Sequence, residues 1–227
     1  MKAMILAAGF GKRLLPLTEK KPKSLIKIGD KSLIQRNIEY LINNGFNEII
    51  INVSYLGEQV VDHVEDIFPN ENIIFSIEDS PLGTGGGILR ALPMLGNNPF
   101  LCMNADIFHN IEINDLPKDV EIAHLIGVEN PDHNKSGDFS LINDLVEVKE
   151  SFNELTWSGI SVINPDVFSD IETESETFNV WKFVLLKYIQ KGFVSGEKSE
   201  NLWIDVGTHN RLNEAIKVYN DKQLNNG

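Results

Sequence analysis

Between residues 3 and 106 the chain alternates short β-type runs with amphipathic helical runs, and this alternation restricts the fold more than any other feature. The β-type runs are "AMILA" (3–7), "EIIINVS" (48–54), "NIIFSI" (72–77) and "PFLCMNAD" (99–106), the last ending in Asp106. Each is a nearly continuous apolar stretch, as strands covered on both faces require. The segments between them carry helical periodicity. Ser32 with Gln35 three residues on is a capping-box pattern, and Leu33, Ile34, Ile38, Leu41 and Ile42 follow at helical spacing. Gly45 is placed to end that helix. "GEQVVDHVEDIF" (57–68) sets Val60, Val61, Val64, Ile67 and Phe68 on one face, and "GGGILRALPML" (85–95) reads as a helix entered through glycines. Strand and helix in strict turn predict an α/β fold with a mostly parallel central sheet and helices on both faces.

The pattern changes after about residue 110. "EIAHLIGV" (121–128) and "WSGISVI" (157–163) read as strands, with a hairpin between them turning at Asn143-Asp144. A helix over 179–192, a strand in "LWIDVGT" (202–208) and a last helix in "HNRLNEAIKVYNDKQL" follow. The apolar stripe of "WKFVLLKYIQ" reads as core rather than a membrane face. No Pro/Gly/Ser-rich linker and no repeat divides the 227 residues. The expectation is one domain over 1–227, with 1–110 as the alternating half and 111–227 as a β-rich half built onto the same sheet. No apolar run approaches the roughly 20 residues of a membrane span, and the five-residue apolar start is too short for a secretory signal. A single cysteine, Cys102, lies in an apolar run. These features predict a cytoplasmic protein with no membrane partner.

The net charge of −13 argues against nucleic acid as a partner. Yet residues 12–31 hold seven basic side chains (Lys12, Arg13, Lys20, Lys21, Lys23, Lys27 and Lys31) against Glu19 and Asp30. This basic segment begins inside a glycine loop that leaves the first strand, "LAAGFGKR". Glycines let backbone N–H groups approach phosphate oxygens, and an arginine supplies a forked cation. Two familiar loops fail here. The dinucleotide loop needs a third glycine where Leu14 stands, and the Walker A loop needs Ser or Thr where Arg13 stands. A G-x-G-x-R loop remains. Pro22 biases Lys21 toward extended backbone, so Lys23 follows an elbow as a point charge for phosphate. Asp106 and Asp205 each fall at a strand end, and two carboxylates plus substrate phosphates make an ordinary Mg²⁺ site. The five histidines show no metal-ligand spacing.

Together, "MKAMILAAGFGKRLLPLT", "KPKSLI", "LGTGGGI", "NAD" (104–106) and "WIDVGTHNRLNEA" resemble the sugar-1-phosphate nucleotidyltransferases over nearly the whole chain. Within that family, "NPDHNKSGDFSL" (130–141) and "WSGISVINPDVF" (157–168) resemble the N-acetylmuramate-1-phosphate uridylyltransferases of cell-wall recycling. The resemblance implies a Rossmann-like nucleotide-diphospho-sugar transferase fold with a small sugar-binding β-rich lobe. It implies a Mg²⁺-dependent transfer between a nucleoside triphosphate and a sugar 1-phosphate, with UTP and N-acetylmuramate-1-phosphate expected. Mannose-1-phosphate with GTP, or glucose-1-phosphate with another nucleotide, is the alternative. A non-catalytic nucleotide-sugar sensor would have lost the metal carboxylates, and both are present. On this resemblance Arg13, Lys23 and Asp106 are catalytic, and Asp106 and Asp205 hold the metal. Leu6, Ala7, Ala8, Gly9, Gly11, Lys12 and Arg13 cradle the triphosphate, with Glu78 and Gly83 beside the base. Asn104, Gly137, Asp138, Lys149 and Gly159 lie toward the sugar. Ser24, Ala105 and Gly83 depart from the family pattern and leave base and sugar choice open. So does Glu78, whose carboxylate could accept from uracil N3–H or from guanine. A monomer or small homo-oligomer is expected.

Overall fold

The structure is a computed structural model and describes residues 1–171 and 177–225. The chain opens with β1 (Ala3–Leu6), then two single 3-10 turns, Lys12–Leu14 and Lys23–Leu25. A small ribbon, β2 (Lys27–Ile28) and β3 (Lys31–Ser32), leads into α1 (Leu33–Asn43). Ser32 caps α1 by accepting from the Gln35 amide at 3.2 Å, but the Gln35 side chain turns to Glu39 instead of closing the box. Gly45, at φ 81°, ends the helix with its amide on the Ile42 carbonyl. β4 (Ile49–Val53), α2 (Gly57–Ile67), β5 (Ile73–Ile77), α3 (Gly83–Leu95) and β6 (Phe100–Asn104) complete the alternating half. β6 stops at Asn104, not Asp106. Ala105 and Asp106 form a turn into β7 (Ile107–His109), which leaves the main sheet.

The second half supplies β8 (Ala123–Glu129), the hairpin β9 (Ser140–Ile142) and β10 (Leu145–Glu147), and β11 (Leu155–Ile163). The hairpin turns at Asn143 and Asp144, both left-handed at φ 49° and 63°, the backbone a two-residue hairpin turn requires. The helix expected over 179–192 is shorter and irregular. A wide π-type turn, Trp181–Leu185, runs into the single turn α4 (Leu186–Ile189). β12 (Val194–Lys198), β13 (Trp203–Asp205) and α5 (His209–Asn225) end the chain.

One nine-stranded sheet runs β5-β4-β1-β6-β11-β8-β12-β10-β9. β5, β4, β1 and β6 are parallel neighbours; β11 joins β6 antiparallel and carries the rest. The β-rich lobe is therefore a continuation of the sheet. Alternate residues of the central strands feed opposite cores. Ala3, Ile5, Ile51 and Met103 meet Ile34, Ile38 and Leu41 of α1 and Val60 and Val64 of α2. Met4, Ile50 and Phe100 meet Ile88, Ala91 and Leu95 of α3 on the other face. Fully burying one such aliphatic side chain is worth about 1.5–3 kcal/mol, so the sheet is anchored from both sides. A third cluster joins Leu14 to Ile204, Val206, Leu212 and Ala215. It fastens the glycine loop to β13 and α5, segments almost 200 residues away in sequence.

Candidate active site

The order of the parallel strands decides where a ligand can sit. From β1 the chain moves outward through β4 and β5, then returns through α3 to place β6 on the other flank of β1. The carboxyl ends of β1 and β6 therefore face the switch point, where open α/β sheets bind ligands. A cavity of about 230 Å³ lies there, bordered by Leu6, Ala8, Gly9, Asn52, Asn104 and Asp106.

The glycine loop is held at its base and open at its tip. The Ala7 amide donates to Asn52 Oδ1 at 2.8 Å. Gly11 is left-handed at φ 63°, and a Cβ there would stand 2.9 Å from the Thr18 methyl and 3.1 Å from Lys23 Cβ. A Cβ at Gly9 would meet nothing within 4 Å, so that backbone faces open space in the cavity. Phe10 leans on Tyr55 with ring centres 5.5 Å apart, and the Lys12 ammonium lies 5.2 Å over Phe10.

Beside the loop, Lys23 and the two aspartates converge. Pro22 is extended at ψ 143°, and the turn after it aims Lys23 inward. Antiparallel pairing of β7 with β13 sets Asp205 opposite Ile107, the residue after Asp106. The Lys23 ammonium pairs with Asp106 Oδ2 and lies 3.9 Å from Asp205 Oδ1. Asp205 Oδ2 accepts from Arg211 Nη1 at 2.9 Å. Burial raises the Asp205 carboxyl above its usual range and the Asp106 charge adds to this, while Lys23, Arg211 and Arg13 oppose it. Two hard oxygen donors that repel each other at a cleft are a donor set suited to Mg²⁺, which takes one or two carboxylates and completes its shell with substrate phosphates and water. Among the described residues no group of three or more His, Cys, Asp or Glu forms a fuller cage.

The family described as nucleotidyl transferase matches residues 2–222. The chain belongs to the nucleotidyl transferase family. It is 43% identical to the N-acetylmuramate alpha-1-phosphate uridylyltransferase of Neisseria meningitidis serogroup B, over 95% of this chain and 96% of that one. It is 30% identical to the mannose-1-phosphate guanyltransferase of Saccharomyces cerevisiae, spanning 91% of this chain but only 61% of the yeast protein. HddC from Yersinia pseudotuberculosis, solved with GMP-PN, superimposes with a TM-score of 0.80 at 25% identity over 96% of this chain and 99% of that one.

In this nucleotidyl transferase the residues expected at the site divide into three groups. Leu6, Ala8, Gly9, Gly83, Asn104 and Asp106 border one cavity, and Arg13 shares a second cavity with Asp205. Asn104 packs over Gly159 in the β8–β11 irregularity, where a Cβ would collide with the Asn104 amide nitrogen. A second group braces loops. Glu78 is only 3% exposed; Oε1 accepts from Asn52 Nδ2 at 2.6 Å and Oε2 from the Leu82 amide at 2.9 Å. Its visible work is to hold the loop before α3, and it does not border the cavity. Asp138 is likewise engaged, accepting from Asn134 Nδ2 at 3.1 Å and from the Trp157 amide at 2.9 Å. Gly137, at φ 65°, lies so close to the Asn130 side chain that a Cβ would sit 2.8 Å from it. Lys149 forms a third group alone. It borders a separate cavity of about 700 Å³ beside Leu186–Gly192. The physical reason is topological: β10 stands four places from β6 in the sheet.

Three residues were missed. Asn52 ties the Ala7 amide to Glu78, and its signal was an amide inside the apolar run "EIIINVS". Arg211 and His133 flank Asp205: Arg211 Nη1 bonds His133 Nε2, and His133 Nε2 lies 4.0 Å from Asp205 Oδ2. Burial lowers the His133 pKa and the Arg211 charge adds to this, while Asp205 opposes it. Both lie in the quoted motif segments, but their pairing is not readable from the sequence, because 78 residues separate them.

Proposed function

We propose that this chain joins a sugar 1-phosphate to a nucleoside triphosphate, releasing pyrophosphate and a nucleotide-sugar, with UTP and N-acetylmuramate-1-phosphate as the pair. The observation that carries the reading is the Lys23–Asp106–Asp205 cluster at the switch point, reached from a glycine loop that ends in Arg13. The near full-length identity to the Neisseria uridylyltransferase supports the choice of pair. An oxygen of the sugar phosphate attacks the α-phosphorus, and the bond to the β-phosphate bridging oxygen breaks. The electron pair leaves with pyrophosphate. No covalent enzyme intermediate is needed, so positioning and charge stabilisation carry the catalysis. Loop amides from Ala8 to Lys12 hold the triphosphate, Arg13 stabilises the leaving pyrophosphate, and Lys23 bridges the reacting phosphates. Asp106 and Asp205 would hold Mg²⁺, which neutralises phosphate charge when bound. Asn104 and Gly159 orient the sugar, as one domain whose two halves share the cleft. The product's place is in cell-wall recycling in the cytoplasm.

The test is pyrophosphate release with Mg²⁺ over a grid of nucleoside triphosphates and sugar 1-phosphates. Activity confined to UTP and N-acetylmuramate-1-phosphate supports the reading. Activity with GTP and mannose-1-phosphate keeps the chemistry and moves the substrates, a result that the 30% identity to guanyltransferases makes worth including. No activity with any pair rejects the enzyme reading. Asp106→Asn and Arg13→Ala should each lower turnover by about 10²–10³, the scale for removing a preorganised electrostatic group.

A further inference from the structure

A second cavity, of about 550 Å³, borders Asp205 between the loop after β8 and the start of α5. Arg13, His133, Trp203, Thr208, Asn210 and Arg211 line it. We propose that this cavity receives a carboxylate carried by the sugar, held by Arg211, and that it sets the preference for an acidic sugar 1-phosphate. The inference rests on the muramate reading above, because N-acetylmuramate differs from N-acetylglucosamine by a lactyl ether that ends in a carboxylate.

The argument starts from unused donors. Arg211 is 8% exposed. Its Nη1 is committed, to Asp205 Oδ2 and to His133, and these two contacts fix the plane of the guanidinium. Its Nε is buried with no partner, and Nη2 has none among the described residues. A guanidinium is made for two parallel hydrogen bonds to a carboxylate, so this one is half used. Arg13 adds to the imbalance. A Cβ at Gly207 would collide with Arg211 Nη2 and stand 3.0 Å from Arg13 Nη2, so the two guanidiniums converge over that glycine. Asp205 is the carboxylate between them, and its other oxygen faces Lys23. The remaining acids of the cavity do not supply the missing charge: Asp132 is fully exposed and paired with Lys135 at 3.6 Å, and Glu214 is exposed. Adjacent like charges and a buried unpaired donor both cost free energy, and one incoming anion at Arg211 relieves both, although Arg13 itself is exposed. The first turn of the 17-residue α5 favours an anion at the same wall.

N-acetylmuramate-1-phosphate and N-acetylglucosamine-1-phosphate share the phosphate and differ in the carboxylate, so the pair isolates it. The experiment measures kcat/KM for both sugars at saturating UTP in the wild type, Arg211→Gln, Arg211→Lys and Asn210→Asp. The expected result is a wild-type preference for the muramate that falls about 10–100-fold in Arg211→Gln, the range of a charge-assisted hydrogen bond, and recovers in part in Arg211→Lys. Asn210 is exposed, so Asn210→Asp keeps the fold and should also weaken the muramate selectively, by placing a negative charge on the cavity wall. If Arg211→Gln and Asn210→Asp lower both sugars by one factor, Arg211 serves only Asp205 or the shared phosphate and the inference is overturned. A wild type with no preference for the muramate overturns the substrate reading as well, and that result is visible before any variant is made.

Discussion

Replacing Asn52 by alanine isolates the link between the glycine loop and Glu78, which braces the loop before α3. Asn52 is 2% exposed and makes two bonds, accepting from the Ala7 amide at 2.8 Å and donating to Glu78 Oε1 at 2.6 Å. The first is a neutral bond, worth about 1 kcal/mol, and the second is charge-assisted, worth about 1.5–3 kcal/mol. Alanine leaves both partners without their bond in a site where water has little access. The expected loss of unfolding free energy is about 3 kcal/mol, which in a domain of this size lowers Tm by about 6–12 °C. Urea unfolding monitored by circular dichroism reads it. The same substitution made in a Glu78→Gln background should cost about 1–2 kcal/mol, because no buried carboxylate is then left unpaired. The KM for the nucleoside triphosphate should rise more than kcat falls, since the loop amides lose their anchor. A loss below 1 kcal/mol, or an equal loss in both backgrounds, refutes the reasoning.

The same geometry predicts other outcomes. Asn52→Asp sets a second carboxyl against Glu78, so the folded pair holds a proton that the unfolded chain releases. The folded pKa is raised, and stability should be highest below about pH 4 and be lost as pH rises, seen as a falling urea midpoint. Gly87→Ala puts a Cβ 2.5 Å from Asn52 Nδ2 and 2.8 Å from Glu78 Oε1 and should cost about 1–3 kcal/mol. Gly9→Ala meets nothing within 4 Å, so Tm should hold, while nucleoside triphosphate affinity should fall about tenfold in calorimetry if the proposed triphosphate cradle is right, because the methyl would intrude on it. Burial lowers the His109 pKa to about 4, and its Nε2 has no partner. The unfolded chain then binds more protons between pH 6.5 and 4, so stability should fall as pH drops through that window, by at most about 3 kcal/mol, and His109→Phe should flatten the profile.

What was legible in the sequence and what was not follow from the range of the interactions involved. The strands and helices of the first half were readable because period and capping are local: Val60 and Val64 are buried, and Ser32 caps α1, as their spacing implies. The hairpin at Asn143-Asp144 was readable for the same reason. The end of β6 was misjudged by two residues, because the ladder stops where Asn104 pairs with Leu6 of β1 and β7 departs to pair with β13, neither of which is local. Asp106 and Asp205 could be named as strand-end carboxylates, yet only the β7–β13 pairing brings them to one point.

A carboxylate in a motif says that negative charge is needed, but not whether its oxygens face a ligand or a neighbouring amide. Glu78 and Asp138 each accept two hydrogen bonds from the protein, and a residue type cannot report that count. The converse holds for Asn52. An amide among isoleucines in a strand buried on both sides must have partners, since an unbonded one would cost about 1–3 kcal/mol. Its presence in "IIINV" was therefore already a statement that something polar crosses the sheet end at that point, although not which loop it ties. Arg211 offered less: an arginine in the first turn of a helix usually faces water. Only its burial against Asp205 and the donors left over after that contact separate it from the ordinary case, and both are properties of the folded chain alone.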